Sequence, residues 1–127
     1  MSFLIVFLGG GLGAAARHGV NSLSAQLFGL RYPVGTFLIN ILGSLLIGVL
    51  AELFALRTHS PAGMRLFLVT GILGGFTTFS AFSLETGLLI ERGEPGIALA
   101  YAGASVACGV VAMFAGMYAI RHLLGPA

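Results

Sequence analysis

Lysine and tryptophan are absent from this 127-residue chain, cysteine occurs once, and only 8% of the residues are charged. Each shortage excludes something. Six scattered arginines with no lysine beside them form no basic patch able to grip phosphates, and a net charge of +2 is too small for nucleic-acid binding. A soluble domain carries about 25% charged residues, so a chain this poor in charge and 57% hydrophobic is built for a membrane. Cys108 has no partner for an intramolecular disulfide and no CxxC spacing; among Ala, Gly and Val it reads as a small apolar filler. His18, His59 and His122 lie far apart, without the spacing of metal ligands. The four carboxylates, Glu52, Glu85, Glu91 and Glu94, show no paired acid–base arrangement, three of them falling at helix ends or in loops. No catalytic constellation is present, and the chain reads as a non-enzyme.

What remains is organised by length. A spanning helix needs roughly 20 mostly apolar residues, and four segments qualify: 3–26, 33–56, 64–90 and 96–121. Their connectors, LRYP, RTHSPAG and ERGEPG, carry the charge, Pro and Gly of loops and are too short to be domains. The N-terminal MSFLIVFLGGGLGAAAR lacks the positive n-region of a signal peptide, so it reads as a retained helix. The expected architecture is a single all-α, four-helix membrane domain over 1–127.

Small and polar residues recur every four positions, which places them on one helical face where membrane helices approach closely. Gly9, Gly13, Arg17 and Asn21 do so in the first helix, and Thr36, Asn40, Ser44 and Gly48 in the second. The fourth carries Ala104, Cys108, Ala112 and Gly116 on one track, with Tyr101, Ser105 and Gly109 on another. Helix packing accounts for the Gly and Ala tracks. For Asn40, Tyr101 and Ser105, packing and function are both open, because polar groups in hydrocarbon need partners. GGGLGA at 9–14 matches a dinucleotide fingerprint, but the first carboxylate after it is Glu52 and no βαβ unit surrounds it.

The most specific stretch is GGFTTFSAF at 74–82. Glycines, β-branched threonines and a serine weaken a helix, and irregular backbone at membrane depth survives only beside protein or a watery cavity. Unwinding is expected near Gly74 and Gly75, freeing carbonyls of the kind that hold Na⁺ in broken transporter helices; a kinked helix without an ion is the alternative. Phe79 and Phe82 follow on neighbouring helical positions. Such a pair is usually packing, yet phenyl rings presented edge-on can attract an anion without trapping it, the balance a conducting path requires.

Together GGFTTFSAF, TFLIN at 36–40 and GGGLGAAAR at 9–17 resemble the Fluc (CrcB) family of fluoride channels, in order and across essentially the whole chain. The resemblance implies an antiparallel, dual-topology homodimer in the cell's inner (plasma) membrane, with two fluoride pathways at the interface. It implies a structural Na⁺ at the dimer centre, held by the backbone carbonyls of Gly74 and Thr77. Phe79 and Phe82 match the pore phenylalanines, and Asn40 a donor to the anion that also orients a ring. Thr36, Tyr101 and Ser105 match polar neighbours of the path, Ser80 is a candidate pore hydroxyl, and Arg17 matches a vestibule arginine. Two departures stand out: Ala81 where many members have Thr, and Gly109 where some have Ser. For Glu85 a vestibule role and an ordinary interfacial carboxylate both fit.

The implied function is passive fluoride export that relieves toxicity, with fluoride, a second copy and membrane lipid as partners and no nucleic acid. A small proton-coupled cation exporter of the four-helix, dual-topology kind is the rival. It needs a carboxylate deep in the membrane, and the first helix offers Arg17 and no acid. Arg57, Arg65 and Arg121 fall on the N-terminal side of the membrane and Arg31 and Arg92 on the other, with Arg17 towards that end. So even a balance predicts insertion in both orientations.

Overall fold

Prolines and left-handed glycines punctuate the chain into its helices. In the computed structural model, which describes residues 1–57 and 59–125, α1 spans Ser2–Phe28 and stops at Gly29, whose φ of 78° suits glycine. Pro33 precedes α2, Val34–Leu56. Pro61 precedes α3 (62–76), which begins α-helical at Ala62–Arg65, widens to a π-helix over Leu66–Leu73 and closes with one α-turn, Gly74–Phe76. After two extended residues α4 runs Phe79–Glu91 and ends at Gly93, φ 77°; Pro95 then opens α5, Pro95–Leu124. Proline fits there because the first turn of a helix has no use for its missing N–H.

The described residues contain helices and no strand. Four helical stretches are long and apolar enough to cross a membrane: Ser2–Phe28, Val34–Leu56, Ala62–Glu91 and Pro95–Leu124. The third carries the interruption, at Thr77–Thr78 rather than at Gly74–Gly75 as the sequence reading expects. The glycines do different work. A Cβ on Gly75 would strike the carbonyl of Gly10, and one on Gly13 the carbonyl of Ile72, so α1 and α3 touch backbone to backbone. On the other side α2 packs on α5 in the same manner, Gly48 against the Met113 carbonyl and Gly116 against that of Leu45. Without a hydrophobic force between helices in lipid, such close backbone approach is what holds them together.

Among the described residues one charged side chain is buried. Glu52, 6% exposed near the end of α2, takes a two-pronged hydrogen bond from Arg121 of α5, at 3.0 Å from Nε and 2.9 Å from Nη2. That fork geometry is the strong form of an arginine–carboxylate pair.

Replacing Gly48 by Ala should destabilise the protein by about 1–3 kcal/mol, the usual result of overpacking. Gly103→Ala, with nothing within 4 Å of the new Cβ, should be neutral or slightly stabilising. Thermal unfolding of both variants in detergent checks the contrast.

Candidate functional site

Breaking a helix at membrane depth orphans the carbonyls of its last turn and the amides of the next helix's first turn. Asn40 of α2 answers part of that demand with both ends of its side-chain amide. Its Nδ2 donates to the Thr78 carbonyl at 3.0 Å, and its Oδ1 accepts from the Thr78 amide at 2.9 Å. Thr78 then caps α4: its Oγ1 accepts from the Ala81 amide at 3.2 Å. Thr77 closes α3, its amide and its hydroxyl both donating to the Leu73 carbonyl at 3.0 and 2.9 Å.

Those diversions deprive specific acceptors of their helical donors. In an unbroken helix the Thr78 amide would serve the Gly74 carbonyl and the Ala81 amide the Thr77 carbonyl; both amides are engaged elsewhere. Gly74 and Thr77 line one shallow cavity of about 380 Å³ with Asn40, Gly43, Ser44 and Phe79. Carbonyl oxygens suit a hard cation, and two alone fall short of a full shell. Arg17 reaches the same spot, its Nη1 donating to the Thr77 carbonyl at 3.5 Å. The half-buried guanidinium thus points at the helix break and lies at the negative end of the α3 dipole.

Past the break the aromatic rings form a short file. Phe79, 79% exposed, lies 5.6 Å from Phe82 between ring centroids, and Phe82 lies 5.3 Å from Tyr101 of α5. Tyr101 in turn donates its hydroxyl to Glu85 Oε2 at 3.0 Å, while buried Thr36 donates to Oε1 at 2.7 Å. Glu85 is therefore gripped by two hydroxyls on opposite oxygens, a partnership that the spacing of Thr36, Glu85 and Tyr101 in sequence does not announce. Ser80 is exposed, 3.4 Å from the Thr78 hydroxyl. Ser105 is set apart: its buried Oγ has no partner and it borders a separate cavity with Ser44, Gly109 and Met113.

The candidate residues thus fall into two adjoining groups. Asn40, Gly74, Thr77, Phe79 and Ser80 gather at the break, and Phe82, Tyr101, Thr36 and Glu85 continue towards the α1–α2 loop. At that loop Arg31 pairs with Glu94 at 3.2 Å. Its hydrogen bond to the Tyr32 hydroxyl, and then the Glu94 charge, raise its already high pKa, so it stays cationic. No group of three or more His, Cys, Asp or Glu able to hold a metal occurs among the described residues.

Comparison with known proteins bears on this arrangement. Residues 4–117 match the family model described as CrcB-like protein, Camphor Resistance (CrcB). The chain is 54% identical over 123 residues to the fluoride-specific ion channel FluC 2 of Nitrobacter hamburgensis, covering 97% of this chain and 99% of that protein. It is 56% identical over 125 residues to the fluoride-specific ion channel FluC of Granulibacter bethesdensis, covering 98% of each. Identity to the FluC protein of Rhodopseudomonas palustris strain BisB5 is 52% over 123 residues, 97% of this chain and 99% of that one.

Asn40→Ala would strand a backbone donor and an acceptor of Thr78. Each buried, unpaired group costs about 1–3 kcal/mol, so thermal unfolding in detergent should show a loss of roughly 2–6 kcal/mol. Ser44→Ala, one turn along α2 with no hydrogen bond of its own among the described residues, should stay within about 0.5 kcal/mol of the parent.

Proposed function

The chain belongs to the CrcB family, and on that premise we propose that it is a fluoride-selective channel that lets cytoplasmic fluoride leave passively. The observation that carries the reading is the mid-span break, where the Asn40 clamp holds the backbone open beside the exposed ring of Phe79. A fixed, rigid gap in a helix, flanked by ring edges and hydroxyls, offers an anion weak contacts and no tight seat. Asn40 spends one N–H on Thr78 and retains a second for a passing anion. Thr36 and Tyr101 hydroxyls, held on Glu85, are donors that fluoride can borrow and return. Fluoride enters a cell as neutral HF from acid surroundings, ionises and is trapped, and the inside-negative potential of the plasma membrane drives it out through such a path.

The face bearing the break supports assembly with a second copy. Gly74, Phe79 and Ser80 are exposed on it, and open backbone polarity cannot face hydrocarbon. An antiparallel homodimer covers it and brings both breaks together. The Gly74 and Thr77 carbonyls of two copies would then hold one Na⁺, whose charge offsets the crowded carbonyl dipoles and ties the copies together. Arg17, already on the Thr77 carbonyl, steadies the same helix end and lends positive potential to the vestibule. The cation-exporter alternative finds no support: Glu52 is bound to Arg121 and Glu85 to two hydroxyls.

Purified protein in liposomes should release fluoride and leave chloride and protons behind. Phe79→Ile and Phe82→Ile keep apolar volume and remove the ring edge, and each should lower fluoride efflux at least tenfold, about 1.4 kcal/mol on the barrier, with the dimer intact. Undiminished efflux in both would return the rings to simple packing.

Orientation gives a second test. Arg57, Arg65 and Arg121 lie by the α1 N-terminus, while Arg31 and Arg92 lie at the opposite ends of the helices, a bias too slight to direct insertion. Terminal tags should be reached in comparable amounts from both sides of the membrane. Two or three lysines added to the 57–63 loop should push insertion one way and depress efflux.

A further inference from the structure

Between the end of α1, the start of α2 and the end of α4 lies a cavity of about 220 Å³ that the break and its rings do not explain. Its inner wall holds Thr36 and Glu85, so it opens directly onto the last polar group of the aromatic file. Asn21 and Ser24 add polar atoms, and the two cations in its wall are Arg31 and Arg92. Arg92 donates to the Arg31 backbone carbonyl at 2.8 Å, which ties its guanidinium to the α1–α2 loop that carries Arg31. Glu94, not a wall residue, sits 3.2 Å from Arg31 and 3.8 Å from Arg92.

An anion leaving past Glu85 meets a carboxylate, and that charge is a barrier unless a cation stands near. We propose that this cavity is the anion mouth of the pathway, with Arg31 and Arg92 as its attracting rim and Glu94 as the counter-charge that limits their pull. The charged residues that line the cavity are Arg31, Arg92 and Glu85, two positive to one negative; Glu94 pairs with both arginines and exposed Glu91, beside Arg92, is not part of the wall. A narrow, low-dielectric cleft focuses such a field and concentrates counter-ions. Arg31 and Arg92 would set how fast fluoride is captured and shed, without touching the selective rings. The proposal rests on the fluoride-channel reading above.

Fluoride efflux from liposomes, measured with an electrode in low and high concentrations of an impermeant salt, separates the possibilities. The screening length falls from about 30 Å at 0.01 M to about 3 Å at 1 M. Unmodified protein that releases no fluoride at either salt would sink the channel reading itself. Given efflux, the Arg31→Gln/Arg92→Gln double variant should be slower by about threefold or more at low salt and nearly normal at 1 M. Glu94→Gln should be faster at low salt, and Arg31→Lys/Arg92→Lys close to the parent. A mere loop staple predicts otherwise: all variants that break the Arg–Glu pairs would slow efflux alike, whatever the salt, and that result overturns the proposal. Should the double glutamine variant not fold, the sign of the Glu94→Gln effect at low salt decides alone, a rise supporting the mouth and a fall or no change refuting it.

Discussion

A chain that interrupts a helix inside a membrane must find hydrogen-bond partners where no water is on hand, and here one side chain supplies two of them. The Asn40 amide binds both backbone groups of Thr78, which is possible only if α2 runs close beside the break. Closeness is secured by Gly43, where a Cβ would collide with the Thr77 side chain. From this clamp follow the fixed start of α4 under its Thr78 cap and the direction in which Phe79 and Phe82 project. The Gly74 and Thr77 carbonyls, released by the same diversion of amides, are its by-product. Loss of the clamp would let α3 and α4 relax into one continuous or disordered span, and the site would have no geometry.

The carboxylates of Glu52, buried, and Glu85, half-buried, show how differently an acid within the helices can be accommodated. Glu52 has a permanent opposite charge on both oxygens, in a fork that no small ion can enter without displacing it. Its role is to fix α5 against α2. Glu85 has neutral hydroxyls instead, one on each oxygen, donors that carry no charge to lock the carboxylate in place. The same residue type is inert in one setting and adaptable in the other, and the difference lies wholly in the partners.

Hydropathy made the four spans readable, because length and composition alone decide whether a segment can cross lipid. The presence of a break was also legible from the crowding of Gly, Thr and Ser at 74–80. Its position was not, since glycine signals both weak helix and close contact, and Gly74 and Gly75 turn out to be helical, with Gly75 seated on the Gly10 carbonyl. The Phe79–Phe82 adjacency needs only helical spacing. By contrast, the Asn40–Thr78 clamp joins residues 38 apart, and the Glu52–Arg121 fork joins residues 69 apart. No periodicity within one helix carries such information, so it waits on the packing of helix against helix. Arg17 was marked by the resemblance that GGGLGAAAR carries, yet its reach to the Thr77 carbonyl depends on where α3 ends.

The Glu52–Arg121 fork also orders events in time. Ribosomes add about 5–20 residues per second, so Arg121 follows Glu52, 69 positions earlier, by roughly 3–14 seconds. During that interval α2 stands in or near the bilayer with an unanswered carboxylate about 6 Å from its end. A glutamate that close to the helix end is within reach of headgroup water, which can keep its charge solvated until the last helix arrives. Completion of the bundle is thereby tied to the final residues of the chain, and a nascent protein truncated before Arg121 would be a poor guest of the membrane, open to removal by quality-control proteases.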